Sequence, residues 1–192
     1  MTIYLENICK SYNGTEVLKD VNVSIEDGKC YAFTGPEGSG KSTLLKIFMG
    51  SVKPDSGKVS RMGDYKYPTL MTAYVPQQES LNLKKNAIWN VKKAHRTASK
   101  GRAAEELLKF FDEQQISCPV GELDPGKRRL VGIIRAMFVP ADFIVLDEPF
   151  YGMSDKERER ALEYVMNKKG TRPLLLAQRE DPGLKDFKMI RL

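Results

Sequence analysis

The chain has 192 residues, 41% of them hydrophobic and 29% charged, which suits one folded domain with a sizeable core and excludes a disordered chain. No apolar run approaches the ~18 residues that a membrane span needs, and the opening Met1-Thr2-Ile3-Tyr4-Leu5-Glu6 has no basic-then-apolar secretory pattern. The net charge of +6 is interleaved with acids along the chain, which describes a solvated surface better than a nucleic-acid groove, and three scattered cysteines with one histidine form no metal-ligand or redox pattern.

Residues 3–10 and 16–25 read as strands, the second from the alternation of Val17, Val21, Val23 and Ile25. Asn13-Gly14 centres a tight turn between them, and Asp27-Gly28 makes another. Cys30-Tyr31-Ala32-Phe33 is an apolar strand that runs into Gly35-Pro36-Glu37-Gly38-Ser39-Gly40-Lys41-Ser42. A helix from Ser42 to Met49 follows, with Gly50 placed to cap it. Lys53-Pro54-Asp55-Ser56-Gly57 breaks the chain before a short strand, Lys58 to Ser60. Thr72 to Val75 is a strand that ends at Pro76-Gln77-Gln78.

Residues 84–116 read as helical, with Ala103, Ala104, Leu107, Leu108 and Phe111 at helical spacing and Trp89 as a buried anchor. Asp124-Pro125-Gly126 opens a helix from Lys127 to Phe138. Phe143-Ile144-Val145-Leu146 is a continuous apolar run, hence a buried parallel strand, and it delivers Asp147-Glu148-Pro149 at its end. Ser154 and Glu157 form a capping box for a helix to about Lys168. Pro173 to Ala177 and residues 188–192 complete the strands. Strands alternating with helices imply a mostly parallel α/β sheet.

Residues 35–42 fit G-x-x-x-x-G-K-[ST], the P-loop, between a strand and a helix as the motif requires. Its glycines let successive N–H groups of Gly35, Pro36-flanking Glu37, Gly38, Ser39 and Gly40 converge on phosphate oxygens. The helix N-terminus adds partial positive charge. Lys41 reaches the outer phosphates, and the Ser42 hydroxyl can ligate the Mg²⁺ that accompanies ATP. In an open parallel sheet Asp147 and Glu148 end on the same edge as the P-loop. Asp147 can hold Mg²⁺ directly or through water, and Glu148 can orient or deprotonate an attacking water.

Over nearly its full length the chain resembles an ABC-type ATPase, the nucleotide-binding domain of ATP-binding cassette transporters. Residues 35–43, through Thr43, are similar to Walker A, and 143–148 to Walker B with its catalytic glutamate. Tyr12 stands where the family has the aromatic that stacks on adenine; a turn aromatic packing on the sheet is the other reading. Gln77 resembles the Q-loop glutamine, which in the family contacts Mg²⁺. Residues 123–137 resemble the signature motif and its helix. The resemblance implies a P-loop NTPase core with an N-terminal antiparallel β subdomain and a short helical subdomain. It also implies a single domain over 1–192, with 1–77 and 123–192 as the core and 78–122 as the helical part.

The pattern departs from the family at four places. The family signature Leu-Ser-Gly-Gly-Gln is here Leu123-Asp124-Pro125-Gly126-Lys127. In the family this segment meets the γ-phosphate across a head-to-tail dimer through the serine hydroxyl and glycine N–H groups. Asp124 lacks the hydroxyl and Pro125 lacks the N–H. A carboxylate ~5 Å from one phosphate charge costs roughly 3 kcal/mol at an effective dielectric of 20, which Lys127 can largely cancel. Gln178 occupies the switch-histidine position; it can donate to a γ-phosphate but cannot carry a proton near neutral pH. The D-loop, Tyr151-Gly152-Met153-Ser154, has serine where aspartate is usual, and Glu37 replaces a common asparagine.

The resemblance therefore implies an ATP-Mg²⁺-binding subunit, dimeric with itself or with another ABC ATPase, docked on a separate membrane permease at the inner face of the cell membrane. Glu148 and Gln178 would act in hydrolysis. Tyr12, residues 35–43, Asp124, Gly126 and Lys127 would contact nucleotide, and Ser42, Gln77 and Asp147 would hold the metal. A catalytically impaired ATP-binding module, paired with a complete cassette or regulatory, is the alternative. No direct nucleic-acid partner is expected, and salt-sensitive DNA binding would be needed to revive one.

Overall fold

The first two strands pair because a two-residue turn with both central residues at positive φ, Asn13 at 51° and Gly14 at 80°, matches the twist of the flanking strands. The structure is a computed structural model that describes residues 1–63, 70–78, 80–95, 98–180, 183 and 186–192. In chain order its elements are β1 (Thr2–Tyr12), β2 (Thr15–Glu26), β3 (Cys30–Thr34), α1 (Lys41–Phe48), β4 (Ser56–Met62), β5 (Thr72–Val75), α2 (Ala87–Lys92), α3 (Lys100–Leu107), α4 (Glu113–Ser117), α5 (Pro125–Met137), β6 (Phe143–Asp147), α6 (Asp155–Lys169), β7 (Leu174–Gln178) and β8 (Phe187–Arg191). They fall into two compact units.

The first unit comprises residues 1–72, 142–148 and 171–192. One layer is an antiparallel sheet in the order β2-β1-β4, the expected N-terminal β subdomain. The other is a parallel sheet in which β7 lies between β6 and β3, and β8 flanks β3. Every residue of β3, β6 and β7 is buried, as a sheet covered on both faces requires. Helix α1 packs on this sheet, and Phe48 meets Phe143 edge to face with ring centroids 5.3 Å apart. The expected cap at Gly50 is a Schellman arrangement: Ser51 N–H donates to the Lys46 carbonyl at 2.9 Å and Gly50 N–H to that of Ile47 at 3.0 Å.

The second unit comprises residues 73–141 and 149–170 and is mainly helical. Residues 84–116, read as helical, hold three short helices, each begun by its own N-cap: Asn86 accepts from Trp89 N–H, Ser99 from Arg102 N–H and Asp112 from Gln115 N–H. These local caps compete with helix continuation, since each ties a side chain to the backbone three residues on. Residues 96 and 97 lie outside the described residues. Trp89 is half-buried rather than a buried anchor, with the Lys93 ammonium 5.5 Å from its ring. In α5 Leu130, Ile133 and Ile134 are buried and Met137 and Phe138 half-buried, and in α6 Ala161 and Val165 are buried. Ser154 and Glu157 form the expected reciprocal capping box of α6.

Candidate functional site

Strand β7 sets the geometry of the candidate site in the first unit. Its register pairs Gln178 with Thr34 on one side and Ala177 with Asp147 on the other. Two hydrogen bonds continue the pairing beyond the strands. Gly35 N–H donates to the Arg179 carbonyl at 3.3 Å, and Glu148 N–H donates to the Ala177 carbonyl at 2.9 Å. The start of the 35–42 loop, the Asp147-Glu148 pair and Gln178 therefore share the C-terminal edge of one parallel sheet. That is where ligands bind in open α/β sheets.

The loop itself leaves β3 at Gly35, exposes Pro36, Glu37 and Gly38, and returns through Ser39 and Gly40 to α1. Gly40 is the N-cap of α1 at φ 92°, and a Cβ there would lie 2.5 Å from the Val17 carbonyl oxygen and 2.6 Å from Leu18. Sterics on β2 thus demand glycine at this position, apart from any phosphate. Gly38, at φ 83°, has nothing within 4 Å of a built Cβ, so its backbone faces open space. Lys41 is buried although charged. Its ammonium turns back into the loop and donates to the carbonyls of Gly35 at 2.7 Å and Pro36 at 2.8 Å. Ser42 and Thr43 stand half-buried on the first turn of α1.

Glu148 carries a left-handed backbone, with φ 48°, directly after β6 and directly before Pro149. Such a φ is uncommon outside glycine and clusters at functional sites. It turns the chain sharply once Asp147, 1% exposed, has ended the strand. Gln178 is also buried, and its amide Nε2 donates to the Glu180 carbonyl at 2.9 Å. Arg179 was not singled out by the sequence, yet its guanidinium pairs with Glu37 of the loop at 2.8 Å. An acid inside a phosphate loop and an arginine just past a strand end were the available signals.

The donor chemistry fits a hard divalent cation. Mg²⁺ is held through one or two carboxylates or hydroxyls together with nucleotide phosphates, not by an all-protein cage. Ser42 and Asp147 supply hydroxyl and carboxylate oxygen within this unit. Among the described residues no group of three His, Cys, Asp or Glu side chains assembles. Tyr12, at the tip of the β1–β2 hairpin, is 44% exposed, with the Lys10 ammonium 5.4 Å from its ring; it is not packed away against its sheet.

The remaining candidates lie in the second unit. Gln77 is exposed, and Arg129 of α5 donates to the main-chain carbonyls of Pro76, at 2.6 Å, and Gln77. Arg135, six residues further along α5, donates to the carbonyl and to the hydroxyl of Ser80. These arginines were missed because a carbonyl acceptor leaves no mark in a sequence. Asp124 is the N-cap of α5 and Pro125 occupies the first turn, where its missing N–H costs nothing. Asp124 accepts from Lys127 N–H at 2.8 Å and pairs with the Lys127 ammonium at 3.1 Å. Burial pushes the Asp124 carboxyl up, but these Lys127 contacts outweigh it and hold the group below the ordinary aspartate range. Gly126 is buried, and a Cβ there would lie 2.5 Å from the Gly152 carbonyl oxygen. No helix of the described residues is long and apolar enough to cross a membrane.

Comparison with known proteins agrees with this geometry. Residues 18–151 match the family model described as ABC transporter. A ribose import ATP-binding protein, RbsA of Halalkalibacterium halodurans, is 31% identical over 93% of this chain and 40% of its own length. The zinc import ATP-binding protein ZnuC of Vibrio parahaemolyticus is 34% identical over 79% of this chain and 56% of its own length. The Nod factor export ATP-binding protein I of Burkholderia orbicola is 30% identical over 81% of this chain and 55% of its own. The chain thus spans 40 to 56% of the length of these relatives. Among solved structures, the cassette MJ0796 bound to ADP and Pi shares the fold with a TM-score of 0.82 at 24% identity, covering 99% of this chain and 94% of that one.

Proposed function

The chain belongs to the ABC transporter family, and from that premise we propose that it is an ATP-Mg²⁺-binding and ATP-hydrolysing subunit that drives a separate membrane permease. The observation that carries this reading is the β7 register, which gathers the P-loop, Asp147, Glu148 and Gln178 on one sheet edge. The loop amides and Lys41 bind the triphosphate. Ser42 and Asp147 hold the cation, which when bound neutralises charge on the outer phosphates. Glu148 accepts a proton from, or orients, the attacking water, and Gln178 offers an amide donor near the terminal phosphate. The subunit works as a dimer at the inner face of the cell membrane, and residues 78–122 face the permease. Relatives named for ribose, zinc and Nod factor import or export support transport without fixing a substrate.

Steady-state ATP turnover of the chain, alone and with copurifying partners, tests the proposal. Glu148→Gln is expected to bind ATP and lose turnover. Turnover equal to the parent would remove Glu148 from the mechanism, and absence of ATP binding by the parent would remove the whole reading.

A second reading is favoured by one observation. The Asp124 carboxylate occupies the α5 N-cap, where a free N–H array would otherwise meet an anion. The chain would then be the degenerate half of a heterodimer, binding ATP but completing its partner's site poorly. An intrinsic turnover restored only by a second, complete cassette would support it. Brisk turnover of the purified chain alone would end it.

A further inference from the structure

We propose that Arg179 is a terminal-phosphate ligand, held on Glu37 until a nucleoside triphosphate displaces it. The inference rests on the ATP-binding reading above and names a residue that reading does not use. Gln178, at the end of β7, directs its amide at the Glu180 carbonyl of its own segment, 2.9 Å away. Its neighbour Arg179 instead directs its guanidinium at the phosphate loop. The Arg179 side chain meets Glu37 at 2.8 Å, and the Arg179 carbonyl, accepting Gly35 N–H at 3.3 Å, keeps the residue beside the start of the loop. Among the described residues just after β7, the cation in contact with the loop is Arg179.

The chemistry favours exchange. Glu37 and Arg179 are 74% and 53% exposed, and an exposed ion pair contributes little, so giving it up costs little. A terminal phosphate carries more charge than a carboxylate and matches the planar fork of a guanidinium with two parallel bonds. Glu37 thus holds Arg179 at the rim of the loop, and the triphosphate takes it over. A diphosphate, one phosphate shorter, has less to offer it. Arg179 then supplies ATP-over-ADP discrimination from the segment where Gln178 can supply no charge.

The test is calorimetric titration of the full chain with Mg²⁺ and either AMP-PNP or ADP, for the parent, Arg179→Ala, Arg179→Gln, Glu37→Asn and the Glu37→Asn/Arg179→Ala double variant. Arg179→Ala is expected to weaken AMP-PNP about tenfold and ADP by less than about threefold, the scale of one charge-assisted bond. Glu37→Asn, which releases the arginine, should tighten AMP-PNP. The arginine's contribution should persist when Glu37 is already asparagine. Equal losses for both nucleotides, or a loss that vanishes in the Glu37→Asn background, overturn the proposal and leave Arg179 as the ion-pair partner of Glu37. Arg179→Gln keeps the side-chain length and replaces the alanine variant if that one melts early. Failure of the parent to bind either nucleotide would instead sink the underlying ATP reading, a different result from the ones above.

Discussion

The Asp124 carboxylate accepts the main-chain N–H of Lys127 at 2.8 Å and lies 3.1 Å from the ammonium of the same residue. One side chain thereby both starts α5 and has its charge met within a single helical turn. The acid caps α5 as a serine at that position could.

Removing the cap has a definite cost. Asp124→Ala is expected to destabilise the chain by about 1 kcal/mol, whereas Asp124→Ser and Asp124→Asn, which still cap, should lie within a few tenths of the parent. The parent and Asp124→Asn separate by pH. The folded-state carboxyl lies below the ordinary aspartate value of 3.8, so its contribution is full above that value and is lost as pH falls through the depressed one. Thermal melts of the two variants between neutral pH and about pH 3 check this. The stability advantage of the parent over Asp124→Asn should shrink only in the acid arm.

Two glycines of the phosphate loop separate strain from collision. Gly38→Ala adds a methyl group at φ 83° with nothing within 4 Å, so it should cost only about 1–2 kcal/mol for the left-handed conformation. Gly40→Ala has φ 92° and also drives a Cβ to 2.5 Å from the Val17 carbonyl. It should cost roughly 3 kcal/mol or more, because main chain rather than a flexible side chain is in the way. Urea unfolding of both variants decides the order, and equal costs would mean that the Val17 contact relaxes freely.

Much of this was legible in the sequence because it depends on local pattern. The Asn13-Gly14 turn, the run Phe143–Leu146, the capping box of Ser154 and Glu157 and the P-loop are each specified within a few residues. Within 84–116 the breaks between helices were not legible, because the apolar spacing continues across them. Ser99 and Asp112 each start a new helix by accepting a backbone N–H three residues on. Arg129 and Arg179 were illegible for another reason. Their partners, the Pro76 and Gln77 carbonyls and Glu37, lie far away in the chain, and the strand register or helix packing that joins them is a tertiary fact.

Arg129 offers a test of how the Gln77 segment is held. It is buried, and it spans two main-chain carbonyls, those of Pro76 and Gln77. Arg129→Met leaves both without this donor and should cost about 1.5–3 kcal/mol, the range for bonds to a charged group. Arg129→Lys can reach one of them and should cost less. Amide hydrogen exchange at Gln77 and Gln78 should rise in both variants, more in the methionine one. Unchanged exchange there would show that the rest of the second unit holds the segment.

Glu148 joins an unusual backbone to a candidate catalytic side chain, and the two can be pulled apart. At φ 48° a glycine loses the steric cost that any side chain incurs, so Glu148→Gly should be more stable than Glu148→Ala by about 1 kcal/mol. Part of that gain is cancelled by the greater freedom of glycine in the unfolded chain, which sets the size but not the sign. Both variants should lose ATP turnover alike, because neither carries a carboxylate. Denaturant midpoints measured beside turnover resolve the two effects. A Glu148→Gly variant no more stable than Glu148→Ala would mean that the left-handed turn before Pro149 carries no strain. In that case the conformation is held without strain by the Glu148 N–H bond to the Ala177 carbonyl at 2.9 Å.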